Sequence, residues 1–248
     1  MNSILAEEGT PSLQYIIMIT SRTLKKSFLT LIAIVILTIP LSARKENKLD
    51  LRMRRMVLDF ESIMIDSQSR IPTALLRDAQ GIIILRQFKV GLVVGVKAGG
   101  GIAMVRDKKT GKWSAPSFMK AGEGSWGLQI GAQGVVHIFL LMNKEGMRVL
   151  TSPKFRIGVD AAATAGPADT GVEAKIGVGS PIYVYSNSSG LYAGATFEGG
   201  FLLPNNKSNA EYYRNSSLMM GDILFDNKVE VPESAKPLIV TIEKYAKK

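Results

Sequence analysis

The sequence predicts an α+β fold, with a glycine-rich antiparallel β sandwich or barrel-like core and flanking N- and C-terminal helices. Residues 81–142 alternate apolar side chains with glycines at close to a two-residue period, which is typical of short, closely packed antiparallel strands. The segments on either side space their apolar residues as helices do. A hydrophobic content of 46% over 248 residues is enough for a sizeable core.

The N-terminal segment has the pattern of a secretory signal peptide. Basic residues at 22–26 precede an apolar run of about a dozen residues at 28–39, and the small residue Ala43 comes just before a charged stretch. We therefore expect residues 1–43 to direct export, with cleavage after Ala43. Retention as an anchor is the alternative, and Met18 would be a more conventional start. Export without any cysteine suggests a bacterial periplasmic or secreted protein.

Residues 44–248 are predicted to form a single domain that begins with an amphipathic helix at about 46–66. The apolar residues of this helix are spaced alternately by four and three, which places them on one face. They are Leu49, Met53, Met56, Phe60 and Ile63. The charged residues on the other sides are Arg52, Arg54, Arg55, Asp59 and Glu61. The helix either docks on the sheet with solvated charges or lies on a membrane surface, and both hold if the arginines stay exposed.

The rest of the chain predicts short strands and helices joined by turns. The predicted strands are 82–87, 90–96, 101–107, 125–132, 135–142, 155–163, 172–178, 181–186 and 191–198. The predicted helices are 73–79, 143–152, 209–214 behind a capping box of Ser208 and Glu211, and 232–245. The polar segment 107–112 predicts a hairpin turn in which Gly111 can adopt positive φ.

Residues able to do bond-making chemistry are scarce. The chain has no cysteine and one histidine, His137. Thiol nucleophiles and cysteine-based zinc sites are therefore excluded, and so are most catalytic arrangements that depend on histidine. Residues 122–127 satisfy GxGxxG, but the alternation that follows is that of a strand, whereas a dinucleotide site needs a helix there. We predict no catalytic residues, no metal site, no cofactor and no enzymatic activity.

The basic residues are more informative, because a net charge of +10 favours anionic partners. Lysines and arginines recur through the central strands and turns, mixed with aromatic residues, as in surfaces that meet phosphate headgroups at a membrane. The candidate lipid-binding residues are Arg52, Arg54, Arg55, Lys89, Lys97, Lys108, Lys109, Lys112 and Trp113. A solvated hairpin explains Lys108, Lys109 and Lys112 equally well. No nucleic-acid-binding signature is present, so nucleic acid is not an expected partner.

Residues 71–203 also carry a series of motifs. These are Ile71-Pro72, Ala79-Gln-Gly81-Ile, Ala98-Gly-Gly-Gly101, Trp113-Ser-Ala-Pro116, Gly122-Glu-Gly124-Ser-Trp-Gly127, Ala165-Gly-Pro167 and Gly190-Leu-Tyr-Ala-Gly194. In their order and approximate spacing the chain resembles the SYLF domain family, which binds lipid and includes actin-binding and phosphoinositide-binding relatives. The resemblance implies membrane-lipid binding without catalysis, with the helix at about 49–63 taking part in membrane contact. The segment 135–137 and Thr170 depart from the family's pattern.

Together these features predict an exported, non-enzymatic module that binds an anionic phospholipid membrane through its basic residues. The alternative is a structural or protein-interaction module, actin-binding-like as in the eukaryotic relatives, that uses the same basic surface.

Overall fold

An eight-stranded sheet forms the centre of the described part of the chain. The strands are β1 (Gly81–Gly91), β2 (Val94–Val105), β3 (Ser117–Trp126), β4 (Gly134–Leu141), β5 (Phe155–Arg156), β6 (Ala163–Ala165), β7 (Ile182–Ser186) and β8 (Phe201–Pro204). Their order across the sheet is β5-β8-β3-β2-β1-β4-β7-β6. Neighbouring strands are antiparallel except β6 and β7, which are parallel.

This computed structural model describes residues 47–67, 70–91, 94–126, 134–157, 159–166, 180–187 and 200–247. The predicted signal segment at 1–43 lies outside the described residues, as do the strands predicted at 172–178 and 191–198. Thr170 lies outside them too.

The sheet is curled into a half-barrel because its two edges are consecutive in the chain. β5 is at one edge and β6 at the other. The link from Arg156 to Ala163 spans at most about 25 Å when extended, whereas the outer strands of a flat eight-stranded sheet would lie about 34 Å apart. A bridge between Ile157 and Ala161 tightens this link further. The α+β fold with a barrel-like core is therefore confirmed.

Helices cover both faces of the sheet. They are α1 (Lys48–Ile65), α2 (Thr73–Asp78), α3 (Lys144–Met147) with a following 3₁₀ turn at Arg148–Leu150, α4 (Asn206–Tyr213), α5 (Met220–Leu224) and α6 (Lys236–Ala246). On one face Ile82 and Ile84 pack with α1, α2 and α6, and on the other Ile83 and Leu85 pack with the 3₁₀ turn and α5. None of the helices in the described ranges has both the length and the apolar composition to cross a membrane.

Glycines in β2 let the sheet curl and let a helix approach it. A Cβ at Gly101 would lie 1.9 Å from the carbonyl oxygen of Ile84 on β1, so no side chain fits there. A Cβ at Gly100, on the opposite face, would lie 2.6 Å from Nη2 of Arg52 on α1. The glycine-rich segment is therefore a packing device in which alternate glycines serve opposite faces.

The prediction for the central strands was right in type but wrong in its boundaries. β1 and β2 are each one long strand, so the expected break near residues 87–90 is absent. β3 begins at Ser117, eight residues before the predicted strand at 125–132, of which residues 127–132 lie outside the described residues. Phe118 packs on one face of the sheet and Met119 on the other. Because these neighbouring residues are both buried, the start of the strand lacks the apolar–polar alternation that marks strands in sequence.

Two further predictions are corrected at turns and caps. The strand expected at 155–163 is interrupted because the Asp160 carboxylate accepts a hydrogen bond from the backbone N–H of Arg156 at 2.6 Å, which turns the chain. α4 begins earlier than expected because Asn205, and not Ser208, is its N-cap, accepting from the Ser208 N–H at 3.3 Å. The last helix, in contrast, begins later than expected, at Lys236, because residues 232–235 form a turn.

The first helix docks on the sheet through more than its apolar face. Asp59, predicted to be solvated, is only 1% exposed. Its carboxylate accepts two hydrogen bonds from the guanidinium of Arg86 on β1, one of them from Nε at 3.1 Å. Hydrogen bonding to Asp59 raises the pKa of Arg86. This bidentate ion pair fixes α1 on the strand at the middle of the sheet.

Candidate functional site

A basic hairpin lies at the end of the sheet where β1 begins and β2 ends. The hairpin is closed by a bridge between Arg106 and Trp113. Asp107 organises its turn, because its carboxylate accepts hydrogen bonds from the backbone N–H and the hydroxyl of Thr110, at 2.7 and 2.9 Å. These bonds hold the pKa of the Asp107 carboxyl below its ordinary value. Gly111 has φ of +71°, as the sequence predicted for this turn.

Arg106 is held at the base of the hairpin by contacts other than carboxylates. Its guanidinium lies over the Trp113 ring, 4.5 Å from the centroid. It donates to the backbone carbonyls of Leu76 and Arg77 at the C-terminal end of α2, at 3.2 Å for Leu76. Burial lowers the pKa of Arg106. The cation is therefore positioned by an aromatic ring and by carbonyl oxygens, while the carboxylates of Glu243 and Asp78 act on it without an ion pair.

A cleft of about 620 Å³ opens beside this hairpin. Its lining residues are Gln80, Val105, Arg106, Asp107, Lys108, Lys109, Thr110, Lys112, Trp113, Ser114, Met147, Leu224, Phe225 and Asn227. Phe225 is 41% exposed and Trp113 only 5%. The indole Nε1 of Trp113 and Nε of Arg106 are buried, and neither finds a hydrogen-bond partner among the described residues. The cleft thus places the exposed ring of Phe225 beside the cationic side chains of the hairpin.

The electrostatics of the cleft favour an anionic ligand. Four cationic side chains line it, from Arg106, Lys108, Lys109 and Lys112, against the single carboxylate of Asp107. The three lysines are exposed, and none of them makes an ion pair within the described part of the chain. The lining set contains no histidine, cysteine or glutamate.

The predicted lipid-binding residues fall in three separate places. Lys108, Lys109, Lys112 and Trp113 meet at the cleft. Lys89 and Lys97 are opposite each other near the far end of the β1–β2 pair. Nine residues separate Lys97 from Arg106 along β2, which places this pair about 30 Å from the cleft. The arginines lie on α1. The structure therefore does not gather the nine residues into one surface.

The three arginines of α1 differ in their surroundings. Arg54 and Arg55 are exposed on the outer side of the helix. Arg52 is half-buried against Gly100 and lies over the Phe118 ring, 5.5 Å from the centroid. Burial lowers the pKa of Arg52. Its guanidinium thus contributes to packing of the helix on the sheet. In the same way the burial of Trp113 keeps its ring from projecting into solvent.

Most of the lining residues were not among the predicted site residues, including Arg106, Phe225 and Asn227. Arg106 follows a strand and precedes the polar turn, a position from which its role could have been inferred. Phe225 and Asn227 follow α5, a helix that the sequence did not predict. An exposed ion pair between Lys228 and Asp222 fixes the chain beside them and lowers the pKa of Asp222. No local pattern in the sequence places this segment against the hairpin.

Comparison with known proteins identifies the family. The profile of the Ysc84 family, described as "Las17-binding protein actin regulator", matches residues 122–245. The chain belongs to the Ysc84 family. The resemblance to the SYLF domain family that the motifs indicated is thereby confirmed. In the described ranges, no group of three or more His, Cys, Asp or Glu side chains is arranged to hold a metal ion.

Individual relatives of the Ysc84 family are fungal and animal proteins. The chain is 29% identical over 214 residues to protein YSC84 of Saccharomyces cerevisiae, covering 84% of this chain and 45% of that one. It is 30% identical over 183 residues to an SH3 domain-containing protein of Schizosaccharomyces pombe, covering 70% and 41%. An SH3 domain-containing YSC84-like protein 1 of Xenopus laevis is 27% identical over 181 residues, covering 72% and 53%.

The chain spans about half the length of these relatives. No solved structure matches it.

Proposed function

We propose that the chain is a non-enzymatic protein-binding module of the Ysc84 family, and that its basic cleft binds an acidic segment of a protein partner. The observation that carries the proposal is the cleft itself, where four cations face one carboxylate beside an exposed aromatic ring. The family description names an actin regulator, and relatives in Saccharomyces cerevisiae are named LAS seventeen-binding protein 3. Both names support a protein as the partner.

The chemistry of the cleft defines which segment would fit. Carboxylates of the partner would meet the lysines of the turn, where each exposed pair contributes roughly 0.2–1 kcal/mol. An apolar side chain between them would pack on the exposed ring of Phe225. Because much of the attraction is between exposed charges, binding should weaken as salt increases.

Co-sedimentation with filamentous actin, an acidic protein, tests the proposal on the full chain. The test variant reverses the three turn lysines, Lys108→Glu, Lys109→Glu and Lys112→Glu. A matched control makes the same charge change elsewhere on the surface, at Lys207, Lys236 and Lys247, which are all exposed. We expect the test variant to lose most of the binding and the control to retain it. Equal losses of actin binding in the two variants would show that binding depends only on the net charge of the chain, and would contradict a role for the cleft.

Binding to an anionic phospholipid membrane is the second candidate function. It is favoured by the three adjacent lysines on one exposed turn, with Phe225 beside them, because each basic residue near an anionic surface contributes about 1 kcal/mol. Vesicles of neutral phosphatidylcholine, with and without phosphatidylserine, separate the two functions. Salt-sensitive binding to the anionic vesicles alone, lost in the lysine variant, would support the lipid function. Actin binding without vesicle binding would support the protein function.

We also propose that residues 1–43 direct export. The support is the basic segment followed by the apolar run and Ala43. N-terminal sequencing of the protein from its native host would detect cleavage after Ala43, and an intact N-terminus on protein recovered from the cytoplasm would contradict export.

A further inference from the structure

The face of the sheet on which α1 packs has an apolar strip that stays open to solvent beside the helix. Ala98 on β2 is exposed, and its neighbour Phe88 on β1 is 44% exposed. The Phe88 ring lies over Gly134 on β4, where a Cβ would be 3.0 Å from its Cε1. The Phe201 ring lies over Gly122 on β3, where a Cβ would be 2.5 Å from its Cζ. The two rings leave Ala98 open between them, on a floor about one strand, or roughly 5 Å, wide.

Cationic side chains lie at one end of this apolar strip. Gly100 is two residues from Ala98 on β2 and on the same face, about 7 Å along the strand. A Cβ at Gly100 would be 2.6 Å from Nη2 of Arg52, so the guanidinium lies directly on the strand there. Lys120 on β3 pairs with Gly100 and is exposed, so it belongs to the same face. Arg52 and Lys120 thus place two positive charges beside the strip.

The N–H donors of Arg52 are available to a ligand. A guanidinium has five such donors, and in the described part of the chain none of those of Arg52 finds a protein acceptor. Its nitrogen atoms are not shut off from solvent, unlike Nε of Arg106. Neither Arg52 nor Lys120 forms an ion pair within the described ranges. A half-buried guanidinium without an anion favours one from solution, because burial of an unpaired charge is unfavourable.

We propose that Arg52 and the apolar strip together bind a fatty acid. The carboxylate would accept hydrogen bonds from the guanidinium of Arg52, with Lys120 beside it, because the two oxygens of a carboxylate match the fork of a guanidinium. The alkyl chain would extend over Ala98 between the two phenyl rings, where a floor one strand wide fits an unbranched chain. The site is independent of the basic cleft, since Gly100 is six residues from Arg106 along β2, or about 20 Å.

NMR titration of the full chain with sodium octanoate, below the concentration at which it forms micelles, tests the site without any variant. We expect saturable shifts of the Ala98 and Gly100 amides. Octanol keeps the alkyl chain and lacks the charge, whereas acetate keeps the carboxylate and lacks the chain. Each should bind at least about tenfold more weakly than octanoate, because each loses one of the two contacts.

Substitutions separate the two halves of the site. Arg52→Gln should weaken octanoate at least about tenfold and leave octanol unchanged, and Arg52→Lys should have a smaller effect because it keeps the charge but loses the fork. Ala98→Leu fills the floor, so it should weaken octanoate and octanol alike and leave acetate unchanged. Lys144→Gln is the control, since Lys144 is exposed on α3, which follows β4 at the opposite end of the sheet.

Three results would overturn the proposal. Octanol that binds as tightly as octanoate would show that Arg52 has no part in binding. Acetate that binds as tightly as octanoate would show that charge alone attracts the ligand. Octanoate shifts confined to the hairpin at 107–112 would place the fatty acid in the cleft. None of these results bears on actin binding by the cleft, which the lysine variant tests separately.

Discussion

Breaking the ion pair between Asp59 and Arg86 should destabilise the protein more than any surface charge substitution. Asp59→Ala removes a buried carboxylate and leaves the guanidinium of Arg86 with no anion in reach. The Arg86 side chain is 25% exposed, so water can rehydrate it in part. Losing one partner of a buried pair costs roughly 3–5 kcal/mol. Partial rehydration should reduce the cost here to about 2–4 kcal/mol of unfolding free energy.

Urea denaturation of the full chain, followed by tryptophan fluorescence, measures this cost from the transition midpoint. Asp78→Ala is the matched control. Its carboxylate is 3.3 Å from Nε of Arg77, and both side chains are about 60% exposed. An exposed pair of this kind contributes about 0–1 kcal/mol. A second variant, D59L/R86M, replaces the pair by apolar side chains and should lie within about 1 kcal/mol of the natural protein.

Two results would refute this reasoning. If Asp59→Ala and Asp78→Ala are equally destabilising, the burial of Asp59 has no energetic weight. If D59L/R86M is as unstable as Asp59→Ala, the cost comes from lost shape and not from an unpaired charge.

Two other predictions concern the glycines and the hairpin. Gly101→Ala should destabilise the protein by about 3 kcal/mol or more, because its Cβ would meet the Ile84 carbonyl at 1.9 Å. The control Gly221→Ala, at a helical position with open space around it, should stabilise the protein by about 0.5–1 kcal/mol in the same urea assay, and similar values for both variants would contradict the packing role of Gly101. Hydrogen bonds from Thr110 lower the pKa of Asp107, so the stabilisation of the turn by the Asp107 carboxylate is complete above the ordinary pKa of 3.8 and is lost as pH falls through the lowered value. NMR titration of the Thr110 amide should show a midpoint below 3.8 that vanishes in Asp107→Asn. A midpoint at or above 3.8 would contradict this cause.

The fold class could be predicted because periodicity survives in the sequence wherever one face of an element differs from the other. The apolar face of α1 and the turn at 107–112 are examples. β3 begins eight residues before the predicted strand because Phe118 and Met119 are buried on opposite faces, which removes the alternation at its start. The pairing of β5 with β8 places Phe155 opposite Leu202 and Arg156 opposite Phe201, and no local signal in the sequence indicates a pairing between such distant residues.

The candidate site was only partly predictable for a related reason. The turn lysines are adjacent in sequence, so their clustering needs no tertiary information. Phe225 and Met147 reach the cleft from segments that are far from the hairpin in sequence, and no pattern around either residue indicates this. Asp59 illustrates the opposite failure. Its helical position suggested solvent, but a long arginine on a neighbouring strand pairs with it and makes burial favourable.

The short link between β5 and β6 also bears on how the protein avoids aggregation. Open sheets expose rows of unpaired N–H and C=O groups at their edges, and these groups recruit strands from other chains. Among the described residues the two edge strands are only two and three residues long. The chain passes from one to the other through a short link, so neither of these two strands is long enough to template an added strand. Recruitment of other chains along these two strands is thereby discouraged.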